Sequence, residues 1–281
     1  MSGYILWDLV PTSSSPPGPS FSPFCMRARL ALLRKGIDFE TRFVTYHDLR
    51  FGGWKEKLGV DLATAPILER PDGTYLMDST QIALWLDETY PSKPNLFLPA
   101  AATPVDLESS EYKEAVENFD NKLKDIASPG HESEKGIRAR GEYWCAIFWL
   151  YARRIVRLFD KETAEYWVQD SRLGDGTWKS VVTRDQEPLV ESVQTGCRNL
   201  SSHLSKNNAQ FFSSPNEPGM TDFSLFGSVQ LIRSVSPKLF QECFLAPGDE
   251  FAGWVKKMDE LFPMEDVRAR DCKEEVEVCK E

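Results

Sequence analysis

Long apolar runs, basic charge and histidine are all scarce in this sequence, and each scarcity removes a class of function. No apolar stretch approaches the roughly 18–20 residues that a bilayer-crossing helix needs, and the longest candidate, Cys145 to Ala152, is far shorter. The 33 basic residues are outnumbered by 43 acidic ones, a formal charge of −10. Such a field repels phosphate backbones and anionic lipid, which argues against nucleic acid or membrane as the main partner. The three histidines, His47, His131 and His203, stand in unrelated segments without ligand spacing, so no metal site is expected. The six cysteines (25, 145, 197, 243, 272 and 279) are widely separated. The first residues, Met1-Ser-Gly-Tyr-Ile-Leu-Trp-Asp, carry no basic region, so no signal peptide is expected and the cysteines read as reduced thiols of a cytoplasmic protein.

What is present is a chain of 281 residues, 41% hydrophobic and 27% charged, the balance of a globular protein with a sizeable core. At roughly 100–200 residues per domain, that length fits about two domains.

The first ninety residues alternate strand and helix signals. Tyr4 to Val10 is a β-rich apolar run stopped by Pro11. Residues 11–23 hold five prolines and five serines and form a loop. From Phe24 the spacing of Met26, Leu30, Leu33 and Ile37 predicts a helix, with Arg34 and Lys35 suited to its negative end and Gly36 to its C-cap. Phe39 to Tyr46 reads as a strand, and Asp48 to Leu58 as a short helix weakened by Gly52-Gly53. Pro66-Ile-Leu-Glu and Thr74-Tyr-Leu-Met are short strands joined by the turn Pro71-Asp72-Gly73. Asp78-Ser79 then opens a helix with Ile82, Trp85, Leu86 and Tyr90 on one face, and Asp78 with Gln81 resembles a capping box. The predicted order is β-α-β-α-β-β-α.

Four prolines in residues 91–105 break the pattern and mark a linker. Everything beyond reads as helix. Tyr112, Val116, Phe119, Leu123 and Ile126 predict one long amphipathic helix, and Tyr143 to Ala152 a central one apolar nearly all round. Leu189, Val193, Cys197, Leu200 and Leu204 form another face, with Pro188 at the first helical position. Phe223 to Ile232 and Phe251 to Leu261 supply two more helices, and 263–281 is a charged tail. The divisions are thus 1–90, 91–105, 106–262 and 263–281.

Three local signatures stand within this architecture in a fixed order: Ser22-Pro23-Phe24-Cys25 at the start of the first helix, Ala65-Pro66-Ile67-Leu68 at a strand, and Asp78-Ser79 at the start of the third helix. With them, over essentially its full length, the chain resembles a cytosolic glutathione transferase. The resemblance implies an α/β thioredoxin-like N-terminal domain followed by an all-α C-terminal domain. Tyr4-Ile-Leu-Trp-Asp-Leu, the Pro/Ser loop, Phe21-Ser-Pro and Lys35-Gly36-Ile37 look most like the bacterial β-etherases of lignin breakdown and their fungal cousins. Tau and omega classes share the Ser-Pro-Phe or Cys-Pro-Phe start and remain rivals.

The resemblance also assigns roles. Glutathione is the cosubstrate, with no metal or nucleotide, and the partners are an electrophilic aromatic small molecule and a second copy of the chain in a homodimer. Ser22 is the hydroxyl that stabilises the glutathione thiolate, beside its plain reading as an N-cap with Pro23 at N1, and Ser20 competes with it in the same loop. Ala65 and Pro66, through a cis peptide, align the cysteinyl part of glutathione like an added strand, against the plain reading of an ordinary trans proline. Asp78 and Ser79 hold the γ-glutamyl end, a role compatible with simple capping. The glycyl carboxylate needs a cation from Arg50, Lys55 or Lys57. Asp222 keeps the acid of the family's capping box, where Gly219 replaces the hydroxyl residue.

Trp144, Phe148, Trp149 and Tyr151 are either an acceptor pocket or, more in keeping with their helical spacing, core. Arg153, Arg154 and Arg157 read as a solvated face. The implied reaction is thiolate attack on the aromatic substrate, with aryl ether cleavage for an etherase, in detoxification or secondary metabolism. Two rival functions share the fold: a non-catalytic carrier of aromatic ligands, and an omega-like thiol reductase using Cys25, an inert packed thiol on its plain reading.

Overall fold

The computed structural model describes residues 3–12, 21–130, 141–169, 178–246 and 249–263. Most of the Pro/Ser loop and all of the tail from 264 onward lie outside them. Strand β1 (Ile5–Leu9) is followed by helix α1 (Pro23–Lys35), strand β2 (Glu40–Val44), helices α2 (Tyr46–Phe51) and α3 (Trp54–Leu58), strands β3 (Ile67–Glu69) and β4 (Tyr75–Met77), and helix α4 (Ser79–Thr89). The predicted order is present, with its second helix split in two. The split falls at Gly52-Gly53, where Gly53 takes φ +76°, a left-handed conformation through which a helix cannot run.

The strands form one sheet in the order β2-β1-β3-β4. β1 and β2 are parallel, which requires a crossover, and α1 is that crossover. β3 and β4 join antiparallel, and their turn is closed by the Arg70 N–H on the Thr74 carbonyl at 2.8 Å. Side chains alternate along β1. Asp8 turns to the α1 face and accepts from Arg29 at 3.1 Å, while Trp7 turns to the other face and meets the Trp54 ring of α3 at 4.9 Å.

After α4 come α5 (Ser110–Asn118), α6 (Lys124–Ala127), α7 (Glu142–Ile155), α8 (Lys161–Trp167), α9 (Trp178–Val182), α10 (Gln186–Lys206), α11 (Met220–Val235), α12 (Pro237–Phe240) and α13 (Glu250–Leu261). α10 buries Leu189, Val193, Cys197, Leu200 and Leu204 as expected. Pro188 is its third residue, not its first. It is harmless there, because N–H groups of a first turn have no helical acceptor.

Four further expectations are corrected. The single helix over Tyr112 to Ile126 is interrupted between Asn118 and Lys124. In the gap Asp120 is held by two other helices: it accepts from Arg27 of α1 at 2.7 Å and from the hydroxyl of Ser224 of α11. Leu33 of α1 is 40% exposed although it fell on the apolar stripe, whereas Lys35 is buried. The reason is that α1 is covered on two sides, and Lys35 pairs with buried Asp87 of α4 at 2.6 Å. Among the three arginines expected in solvent, Arg157 is exposed and Arg153 half-buried, but Arg154 is buried, donating to the Leu150 carbonyl at 2.8 Å and to Gln186 at 2.6 Å. Lastly, the hydroxyl missing at Gly219 is supplied from elsewhere. The Asp222 N–H donates to Ser213 Oγ at 3.4 Å, while Asp222 accepts from the Gly219 N–H at 3.2 Å. A Cβ on Gly219 would stand 2.6 Å from the Leu96 carbonyl, which already accepts from the Met220 N–H at 2.8 Å. A hydroxyl residue therefore does not fit at 219, and Ser213 fills the capping position.

Candidate active site

The sheet brings the sequence-predicted residues to one edge. Trp7, in the middle of β1 and two residues before its end, is opposite Ile67 at the start of β3, and Ile67 is opposite Met77 at the end of β4. The residue pair before β3, Ala65-Pro66, and the pair after β4, Asp78-Ser79, therefore lie at the edge where β1 ends. α1 begins there too, since Cys25 in its first turn lies against Asp8 and the Leu9 backbone.

Ser22 is the N-cap of α1. Its backbone is extended, its Oγ accepts from the Cys25 N–H at 3.3 Å, and the residue is 6% exposed. The cap bond uses an acceptor lone pair of the hydroxyl, so capping and proton donation are separate capacities of one oxygen. Pro23 follows at N1, and the helix ends in a left-handed Gly36 cap. Cys25 is fully buried, and burial pushes its thiol well up, with the Asp8 carboxylate adding to the effect. A nucleophilic cysteine needs the opposite environment. Ser20 lies outside the described residues.

The Ala65–Pro66 peptide is cis, with Ala65 half-buried and Pro66 buried. Asp78 is the N-cap of α4 and accepts from the N–H groups of Thr80 at 2.7 Å and Gln81 at 3.0 Å. It holds φ +78°, a region that few residues other than glycine and asparagine or aspartate enter. Asp78 itself is exposed, whereas Ser79, the first residue of α4, is only 2% exposed.

An aromatic wall stands next to Ser22. The Phe21 ring is 6.4 Å from Tyr46 and 6.0 Å from Phe159, and the Phe21 carbonyl accepts from the Tyr151 hydroxyl at 3.2 Å. Tyr46 and Phe159 meet edge to face at 5.6 Å, and Trp167 packs on both, at 6.1 and 5.4 Å. Of the four aromatic residues singled out on α7, Tyr151 and Phe148 reach Trp167 at 6.4 and 6.5 Å. The other two do not: Trp144 packs on Tyr143, and Trp149 lies beneath the Arg184 guanidinium at 3.8 Å. Phe21, Tyr46, Phe159 and Trp167 come from three separate segments, so no helical spacing could have grouped them.

The three candidate cations diverge. Arg50 lies on α2 with its guanidinium 3.4 Å from the Tyr166 ring centre and 5.8 Å from that of Tyr46. Lys57 instead lies over Trp54 at 4.7 Å, a ring that itself packs on Trp7 and Tyr75. Lys55 is half-buried on the same short helix α3.

A four-stranded thioredoxin-like layer with cis-Pro66 at its edge and a helical half behind α1 is a known combination, and residues 21–89 match the family model of the glutathione S-transferase N-terminal domain. The chain has the fold of a glutathione S-transferase. The matched stretch contains Ser22, Ala65, Pro66, Asp78 and Ser79. Among solved structures with this fold is glutathione transferase GSTFuA3 from Phanerochaete chrysosporium, 18% identical over 92% of this chain and 96% of its own, TM-score 0.65. Another is the glutathione S-transferase CsGST63524 of Ceriporiopsis subvermispora in complex with glutathione, 18% identical over 94% and 99%, TM-score 0.66. Glutaredoxin 2 from Salmonella typhimurium, also in complex with glutathione, is similar at 16% identity over 92% and 94%, TM-score 0.56. A comparison with curated proteins finds no match. No helix among the described residues is long and apolar enough to cross a membrane.

Proposed function

We propose that the protein is a glutathione transferase that activates the glutathione thiol with Ser22 for attack on an electrophilic aromatic small molecule. The observation that carries this reading is the position of Ser22: it caps α1 at the sheet edge that also holds Ala65-Pro66 and Asp78-Ser79, with the aromatic wall beginning at the adjacent Phe21. A free thiol titrates at about pH 8.5 and is mostly protonated at neutral pH. A hydroxyl donating to the sulfur and the positive end of a helix both favour the thiolate. Ser22 belongs to both. Ala65 offers backbone groups for strand-like pairing with the cysteinyl residue, and the start of α4 with Asp78 and Ser79 receives the γ-glutamyl end.

In the reaction, the sulfur forms a C–S bond to the electrophilic carbon as the leaving group departs. For an aryl ether that group is the aryl oxide, which takes up the thiol's proton and leaves as a phenol. Glutathione is consumed as a cosubstrate, and nothing in the step requires a metal or a nucleotide. Residues 1–90 form the glutathione-binding half and 106–262 the acceptor half, joined by 91–105 and followed by a charged tail, 263–281. The protein works in the cytoplasm as a homodimer, in detoxification or secondary metabolism, and its sequence pattern favours an etherase-related subgroup. The burial of Cys25 argues against the thiol reductase.

An ultraviolet titration of bound glutathione thiolate, in wild type and Ser22→Ala, tests the reading. The expected result is a bound-thiol pKa well below the free value that returns towards it on substitution. An unshifted pKa with glutathione bound would sink the role of Ser22 and leave a carrier of aromatic ligands.

A further inference from the structure

We propose that Tyr151 of α7 is a positioning residue for Ser22: its hydroxyl, bound to the Phe21 carbonyl, orients the peptide from which Ser22 hangs and so aims the Ser22 hydroxyl. The acidity of bound glutathione is then set in part from the helical half. The inference rests on the glutathione reading above and concerns how that site holds its thiolate donor.

A hydroxyl stabilises a thiolate only when its proton points at the sulfur, so the direction of the Ser22 Cα–Cβ bond matters. That direction follows from the peptide units on either side of Cα, each of which is planar. On the C-terminal side the helix sets it: the Ser22 carbonyl accepts from the Met26 N–H at 3.0 Å. The cap bond adds less, because its 3.3 Å from the Cys25 N–H to Oγ exceeds the usual range of about 2.7–3.2 Å. On the N-terminal side is the Phe21–Ser22 peptide. The sequence before it, rich in proline and serine, predicts no strand or helix to hold it.

Tyr151 holds it instead. Its hydroxyl donates to the Phe21 carbonyl at 3.2 Å, and that oxygen belongs to the same planar unit as the Ser22 N–H. The Phe21 ring packs on Tyr46 and Phe159, but ring contacts leave the rotation of the carbonyl open. A bond to the oxygen itself closes it. Tyr151 is only 3% exposed and its ring is backed by Trp167 at 6.4 Å, so the hydroxyl arrives from a fixed direction. Phenylalanine would fill the same space without the cost of burying a hydroxyl. The hydroxyl therefore marks a polar requirement at this point, and what it serves is the backbone of the thiolate donor.

Thiolate absorbance of bound glutathione across pH, in full-length wild type, Tyr151→Phe, Ser22→Ala and the double variant, tests this. Tyr151→Phe is expected to raise the bound-thiol pKa by about one unit, which is about tenfold less thiolate at a pH below both values. Added to Ser22→Ala it should change nothing, because it acts through that hydroxyl. S-Methylglutathione, which has no thiol proton, should bind Tyr151→Phe and wild type equally by calorimetry. Tyr143→Phe is the control for loosening of α7. Its hydroxyl is fully buried too, but faces the Cys197 thiol about two turns away, so its loss should leave the pKa in place. A wild-type pKa in Tyr151→Phe, an equal rise in Tyr143→Phe, a full further rise in the double variant or weaker S-methylglutathione binding would each overturn the proposal. If Ser22→Ala raises the pKa and Tyr151→Phe does not, this inference alone fails. A wild type that binds glutathione without a lowered pKa overturns the Ser22 reading together with it.

Discussion

Gly227 of α11 lies directly against the carbonyl of Pro23, one residue beyond the proposed thiolate donor: a Cβ at 227 would stand 2.6 Å from that oxygen. The first turn of α1 therefore takes its position from the helical half as well as from the sheet. Gly227→Ala is expected to lower stability by about 1–3 kcal/mol through overpacking, partly offset by better helix propensity. Because the displaced atom belongs to the first turn, the pKa of bound glutathione should rise as well. Urea unfolding and thiolate absorbance read the two effects, and unchanged values in both would show that α1 yields freely.

Cys25 should be inert in the native protein. Its thiol is fully buried and pushed well above its ordinary value, so iodoacetamide at pH 8 is expected to spare it until urea is added, as peptide mass spectrometry would show. Cys25→Ala should retain glutathione conjugation and lose about 1 kcal/mol of stability, the lower range for trimming a small core side chain. Loss of a glutathione-dependent reductase activity in that variant would reinstate the redox reading.

The Lys35–Asp87 pair joins α1, α4 and α5. Both side chains are buried, and Asp87 also accepts from the Leu96 N–H at 3.0 Å and from the Tyr112 hydroxyl at 3.2 Å. Removing one partner strands a buried charge, so Lys35→Met alone is expected to cost about 3–5 kcal/mol. Lys35→Met combined with Asp87→Leu should recover part of that loss, although it leaves the Leu96 N–H without its acceptor. A cycle of urea midpoints showing strictly additive losses would mean that the pair is not coupled.

Asp222 provides a pH test. Desolvation raises its pKa in the folded chain, although it accepts from the N–H groups of Phe212, Ser213 and Gly219 and from the Trp254 indole. The folded state therefore holds the proton more tightly than the unfolded chain. The group's contribution to stability is complete below the unfolded value of about 3.9 and is lost as pH rises through the raised folded value. Asp222→Asn should be less stable at neutral pH, having lost an acceptor oxygen, and should show a flatter decline of stability with rising pH across that window. Parallel curves for the two proteins would contradict the assignment.

The alternation of strand and helix in the first ninety residues, the α10 stripe and the start of α1 at Ser22-Pro23 were legible because each depends on local spacing and capping. The errors share another origin. Tyr112 to Ile126 has a sound helical period, yet Asp120 is claimed by Arg27 and Ser224 from helices distant in sequence. Arg154 looks like a surface residue until Gln186 and the Leu150 carbonyl take its N–H groups. The candidate site was legible as separate signatures, since Ser22, Pro66 and Asp78 each stand at an element boundary. The aromatic wall was not, because Phe21, Tyr46, Phe159 and Trp167 become neighbours only when α2 and α8 meet.

Leu96 is bound through both of its backbone polar groups: its N–H goes to Asp87 of α4 and its carbonyl receives the Met220 N–H of α11. The stretch between the two halves is thus a strut, not a tether. A strut transmits load, so neither half can swing or melt without breaking its bond to Leu96, and heat should take the whole chain apart in one calorimetric step. On the same ground, a ligand that binds at the sheet should raise the melting temperature of the helices together with that of the sheet.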